Sequence, residues 1–211
     1  MTRQQSFLMT ALVAIVAIGA GVLLARAMFD RNSSTDLGLA VATVISPPRP
    51  LPELALIDQA GAPFDASRFQ GRWTLVFFGF TRCPDVCPTT LAMLAQVEKL
   101  VAASPAAIAP QVVLVSVDPE RDTPEALAKY VKFFSPTFTG VTGSVTAIDA
   151  FTRALGIPVA RSPLPNGDYT VDHSAAILLF DPQGAMHALF SAPHTAATIA
   201  ADYRRIVGAK E

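Results

Sequence analysis

The run Trp73 to Phe80, WTLVFFGF, leads without a break into Thr81-Arg82-Cys83-Pro84-Asp85-Val86-Cys87-Pro88. A short apolar run rich in aromatic and β-branched residues reads as a central strand buried on both faces. Such a strand belongs inside a layered α/β domain. The cysteine loop therefore sits at the carboxyl end of a central strand, where open α/β sheets present their crevice.

The rest of the chain supplies the other layers. Leu54 to Ile57 reads as a short strand, with Asp58-Gln59-Ala60-Gly61 as its turn. Thr89 to Ala103 reads as a helix with Leu91, Leu94, Val97, Leu100 and Val101 on one face. Val112 to Val117 is a second buried strand. A further helix starts at Asp122-Thr123-Pro124-Glu125, with Asp122 as its cap, Glu125 completing a capping box and Pro124 in the first turn. Ser144 to Leu155 is a third helix. Ala175 to Phe180 and Ala185 to Phe190 flank Asp181-Pro182-Gln183-Gly184 as a β-hairpin, and Thr195 to Val207 closes the chain as a helix. This element order gives an α/β class and fits a thioredoxin-like, three-layer α/β/α sandwich.

The length of 211 residues allows one domain plus an appendage, and the net charge of −1 leaves no basic field for nucleic acid. The 51% hydrophobic content is concentrated at the N-terminus, where Phe7 to Ala25 carries no charge. As a helix this stretch covers about 28 Å, the thickness of a bilayer's hydrocarbon. It reads as a membrane signal-anchor over 7–28, preceded by a short cytoplasmic tail over 1–6. A cleaved signal peptide ending at Ala25-Arg26-Ala27 is the alternative. Residues 29–50 open polar, end in a proline cluster and read as a tether, and 51–211 form the domain. Either reading of the N-terminus puts the domain outside the cytoplasm, in an oxidising compartment.

Cys83 and Cys87 are the only cysteines, in a C-x3-C spacing at the start of a helix. Unpaired N–H groups and the helix dipole favour thiolate there, and the thiolate is both nucleophile and metal ligand. Pro84 and Pro88 restrain the loop. A plain structural disulfide, a redox pair and a soft-metal site are all open. Of three histidines, His173 lies just before the strand from Ala175, in a loop that a thioredoxin-like fold turns toward the cysteines; His187 and His194 read as ordinary. Two thiolates and one imidazole suit Cu(I), whereas zinc ordinarily takes a fourth ligand. Asp172 is placed to orient the imidazole or to complete a shell for Cu(II). Asp118 and Asp122 are outer-shell candidates whose ordinary reading is a strand end and a helix cap.

Three segments together, FFGFTRCPDVCPTTL, VSVDPERDTPE and YTVDHS followed by an apolar strand and Asp181-Pro182-Gln183-Gly184, resemble the Sco/SenC family in its own order, from about Pro52 to the C-terminus. Leu51-Pro52-Glu53-Leu54 stands where the family often has paired glycines, a departure that leaves the ligand positions intact. The resemblance implies a thioredoxin-fold copper protein with one transmembrane helix, serving the binuclear CuA site of cytochrome c oxidase subunit II. It implies copper ligands at Cys83, Cys87 and His173. Implied partners are that subunit or another copper or thiol protein, and an upstream copper donor. Implied locations are the bacterial periplasm or the mitochondrial intermembrane space. Metallochaperone and thiol–disulfide reductase of the CuA cysteines are both open under this resemblance. A peroxide-reducing or redox-sensing thiol protein is a third reading, supported by the thiols alone.

Overall fold

The computed structural model describes residues 17–21, 37–104, 108–165 and 167–209. The chain divides into two compact units, 1–36 and 37–211. In the first, residues 17–21 are helical. The remainder of the expected anchor over 7–28, and the tail over 1–6, lie outside the described residues. No helix among the described residues is long and apolar enough to cross a membrane.

The second unit is built on an eight-stranded mixed sheet. Its strands are β1 (Ala42–Pro50), β2 (Leu56–Asp58), β3 (Pro63–Phe64), β4 (Thr74–Gly79), β5 (Gln111–Ser116), β6 (Thr139–Thr142), β9 (Ile177–Phe180) and β10 (Ala185–Phe190). They lie in the order β1-β10-β9-β4-β5-β6-β2-β3. The parallel core is β4-β5-β6, and β9 runs antiparallel on the other side of β4. All six residues of β4 are buried. That matches its uninterrupted apolar run, since a strand covered on both faces has no reason to alternate.

Helices cover both faces. They are α1 (Val86–Ala102), α2 (Pro124–Phe134), α3 (Val145–Leu155) and α4 (Ala196–Gly208). On one face the Phe78 ring meets Phe151 of α3 with centroids 5.9 Å apart. On the other, glycines admit the helices: a Cβ on Gly79 would lie 2.9 Å from the Cys87 sulfur of α1, and one on Gly140 would lie 3.0 Å from Leu127 Cβ of α2. Neighbouring residues in a strand point to opposite faces, so Phe78 and Gly79 divide the two layers between them. A separate two-stranded sheet, β7 (Val159–Pro163) with β8 (Tyr169–His173), completes the unit.

Four details differ from the sequence reading. Ala42–Pro50, expected to be part of a tether over 29–50, is instead the edge strand β1, paired with β10. Edge position tolerates its prolines, and the register shifts between Val44 and Arg49, around Pro47 and Pro48. The fully buried Asp202 of α4 fastens its start by accepting the N–H groups of Ala40, Val41 and Ala42 at 2.8–3.0 Å. The cap of α2 is Thr123, whose hydroxyl accepts the Ala126 N–H, and not Asp122. The cysteine helix α1 begins at Val86, three residues early, and Leu100 on it is exposed.

Candidate metal centre

The strand-to-helix crossing after β4 positions both thiols. Cys83 lies in the loop and is half-buried, while Cys87 stands in the first turn of α1 and is fully buried. The loop folds back so that the two sulfurs lie within 4.8 Å of each other. The Cys87 N–H, one of the N–H groups left unpaired at a helix start, donates to the Cys83 sulfur at 3.4 Å. Gly79 makes room beneath Cys87, as its missing Cβ would collide with that sulfur.

The thiols are free and not bridged. The sequence reading expects a lowered thiol pKa at the helix start. For Cys87 the structure reverses that expectation. Burial pushes its thiol well above the ordinary range, and the neighbouring Cys83 adds to the rise. Removing the charged form from water outweighs the dipole here.

Asp122 braces the loop from below. Its carboxylate is fully buried and accepts the Thr81 N–H at 3.0 Å, the Thr81 hydroxyl at 2.6 Å and the Ser116 hydroxyl at 2.6 Å. Three donors satisfy a charge that burial alone would make costly. They tie the residue two before Cys83 to the end of β5.

His173 arrives from the last position of β8. Its Nδ1 lies 3.0 Å from the Ser174 carbonyl oxygen. A carbonyl only accepts, so Nδ1 carries the proton and Nε2 presents its lone pair. That Nε2 lies 3.4 Å from the Cys87 sulfur. The rings of Phe77 and Phe80 meet the imidazole edge-on, each at 5.9 Å. Burial lowers the imidazole's pKa, against the opposing pull of the Ser174 carbonyl and Asp172, and so favours the neutral ring that ligates metals.

Cys83 Sγ, Cys87 Sγ and a His173 ring nitrogen thus all lie within 4.8 Å of one another. A groove of about 250 Å³ opens over Cys83 and His173, lined among others by Phe80, Pro84, Val86 and Thr170. Two sulfurs and one unprotonated nitrogen around a common point form a soft donor set of low coordination number, matched to a monovalent copper ion.

The three aspartates flagged from sequence do other work. Asp172 makes no hydrogen bond to the imidazole; its carboxylate accepts the Ser162 hydroxyl of β7 at 3.1 Å. Successive strand residues face opposite sides, which turns Asp172 away from the ring of His173. Asp118 is fully buried and accepts the Tyr169 hydroxyl at 2.7 Å as well as the Nε–H of Arg121. Asp122 holds Thr81 rather than a helix end. Arg121 and Tyr169 escaped sequence reading, because their side chains meet across 48 positions of chain. Of the other histidines, His187 is buried against Trp73 with ring centroids 5.4 Å apart. His194 Nε2 faces the Ala175 carbonyl at 3.4 Å.

Comparison with known proteins adds an independent line. The SCO1/SenC family profile matches residues 47–208. A Stutzerimonas stutzeri protein is 37% identical over 166 residues, 78% of this chain and 79% of that one. The Bos taurus mitochondrial SCO2 homolog is 38% identical over 158 residues. That match takes in 74% of this chain and 59% of the bovine protein, so the chain spans well under two thirds of that relative. Among solved structures, Arabidopsis thaliana ScoI with copper bound superposes with a TM-score of 0.72 at 30% identity, covering 75% of this chain and 98% of that one. The thioredoxin-like α/β architecture is common to both. The profile covers most of the sequence, including both cysteines and His173, and the chain belongs to the SCO1/SenC family.

Proposed function

We propose that this protein binds Cu(I) through Cys83, Cys87 and His173 and delivers it to the CuA site of cytochrome c oxidase subunit II during assembly. The observation that carries the reading is the meeting of two free sulfurs and an unprotonated ring nitrogen within 4.8 Å. The copper held by the Arabidopsis relative supports it. Cys83 is the half-exposed sulfur and borders the open groove, so it is the donor that an incoming thiolate reaches first. Release then proceeds by ligand exchange: the partner's thiolate adds at the ion as one of this protein's donors leaves. The domain does this work as a membrane-anchored head in an oxidising compartment, the bacterial periplasm.

The test is anaerobic titration of the reduced protein with Cu(I) against a competing chelator. His173→Ala is expected to lower affinity by at least about tenfold while leaving both thiols titratable. Unchanged affinity in that variant removes His173 from the site.

A second reading draws on the unequal exposure of the two thiols. Cys83 attacks a partner disulfide and displaces one partner thiolate, and Cys87 then attacks Cys83 and releases the other. The partner disulfide gains two electrons and the Cys83–Cys87 pair becomes a disulfide. Reduction of a CuA disulfide by copper-free protein, at a rate that His173→Ala leaves unchanged, favours this reading.

A further inference from the structure

The two halves of the candidate centre are held by different means. The cysteine loop continues directly from β4 of the main sheet. His173 stands at the end of β8, which among the described residues pairs only with β7, in a two-stranded sheet. Beyond the Phe77 and Phe80 rings against it and the short link to β9, the imidazole's place depends on how β8 itself is held.

The other end of β8 is gripped. The Arg121 guanidinium lies over the Tyr169 ring, 3.8 Å from its centroid. Its Nη1 donates to the Tyr169 carbonyl at 3.0 Å and to the Asp168 carboxylate at 2.9 Å. Its Nε donates to Asp118, which also accepts the Tyr169 hydroxyl at 2.7 Å. Arg121 is only 12% exposed and Asp118 fully buried, so their contact is little screened by solvent, whereas Asp168 is exposed and its contact is screened. A planar fork that binds three acceptors while stacking on a ring fixes direction as well as distance, as a lysine would not.

The turn that carries Arg121 runs from Asp118 to Asp122, closed by the Arg121 and Asp122 N–H groups donating to the Asp118 carbonyl at 3.1 and 3.0 Å. Asp122 at its end grips Thr81 beside the cysteine loop. One turn thus holds the thiol half with one residue and the histidine half with two others. We infer that Arg121 is a positioning residue for His173, clamping the β7–β8 hairpin through Tyr169 so that the imidazole is set against the thiols. This rests on the proposed role of His173 as a ligand, and Arg121 itself need not touch the ion.

The test uses Arg121→Met in the full chain with two readouts. In the reduced, metal-free protein, amide exchange across Tyr169–His173 should rise at least about tenfold while β4 and β5 stay protected. Cu(I) affinity should fall about ten- to hundredfold in the otherwise wild-type chain, and by much less when His173 is already Ala. An equal loss of affinity in both backgrounds, or unchanged exchange in β8, overturns the inference. Arg121→Lys, which keeps the charge and loses the fork, should fall between wild type and Met. Should Arg121→Met fail to fold by circular dichroism, Arg121→Lys and Tyr169→Phe carry the same comparison. Wild-type copper affinity in His173→Ala would instead remove His173 from the copper site, while β8 exchange and the His173 ring resonances in the metal-free protein still decide whether Arg121 sets the ring.

Discussion

The cysteine half and the histidine half of the candidate centre differ in how the fold holds them. The thiols sit where the buried central strand becomes a helix, over a glycine whose missing Cβ leaves room for one sulfur, and above a carboxylate with three donors. The imidazole sits at the base of a small hairpin outside the main sheet, against the rings of Phe77 and Phe80, and the far end of its strand is held by one cation, one aromatic ring and a buried acid. Local stability follows the density of buried contacts, so the first half belongs to the core and the second to an attached arm. A site that must first hold an ion and later release it gains from that inequality: one ligand can withdraw without disturbing the fold.

The largest effect that would sharpen the contrast is on Asp122. Asp122→Ala leaves the Thr81 and Ser116 donors without their acceptor and should cost about 3 kcal/mol of stability, read by denaturant unfolding. Exchange should rise in the cysteine loop more than in β8. A variant that loosens β8 while sparing the loop would reverse the assignment of Asp122.

Gly79→Ala should be next in size. Its new Cβ would lie 2.9 Å from the Cys87 sulfur, 3.0 Å from the Phe77 ring and 3.2 Å from Leu114. Overpacking of this kind costs about 2 kcal/mol, and the methyl also displaces the sulfur. A Gly79→Ala protein with wild-type melting temperature and wild-type copper affinity would show that the thiol half is not tightly packed.

The smallest effect separates the thiols themselves. Cys83 is half-buried and borders the groove, whereas Cys87 is fully buried with its thiol pKa pushed up by that burial. In reduced, metal-free protein, iodoacetamide should modify Cys83 at least about tenfold faster, by mass spectrometry of the labelled peptides. Equal rates would mean that the loop opens readily and that the cysteine half is as mobile as the arm.

Much of this contrast was legible in the sequence on one side only. The runs VVLVSV and WTLVFFGF announce β5 and β4 because strands covered on both faces need no alternation. The cysteine loop is contiguous with one of them, so its place follows from chain order. The hairpin that carries His173 leaves almost no pattern: Val159–Pro163 and Tyr169–His173 are five residues each, with one proline and mostly half-exposed or exposed positions. Edge strand β1 hid behind its proline cluster for a related reason, since an edge tolerates what a central strand forbids. Asp122 reads locally as a helix cap, and only the fold shows that its carboxylate serves Thr81, 41 positions earlier. The Cys87 pKa was misjudged because the helix dipole is visible in sequence order and the depth of burial is not. The convergence of His173 with the thiols followed from the resemblance and from the loop geometry of a thioredoxin-like sandwich, not from any local signal.

The most direct test of the copper site is X-ray absorption at the copper edge of the reduced chain loaded with one equivalent of Cu(I). Two sulfur scatterers and one imidazole nitrogen are predicted in the wild-type protein, with the nitrogen lost in His173→Ala and both sulfurs retained. A two-sulfur spectrum that is identical in the two proteins would contradict the account.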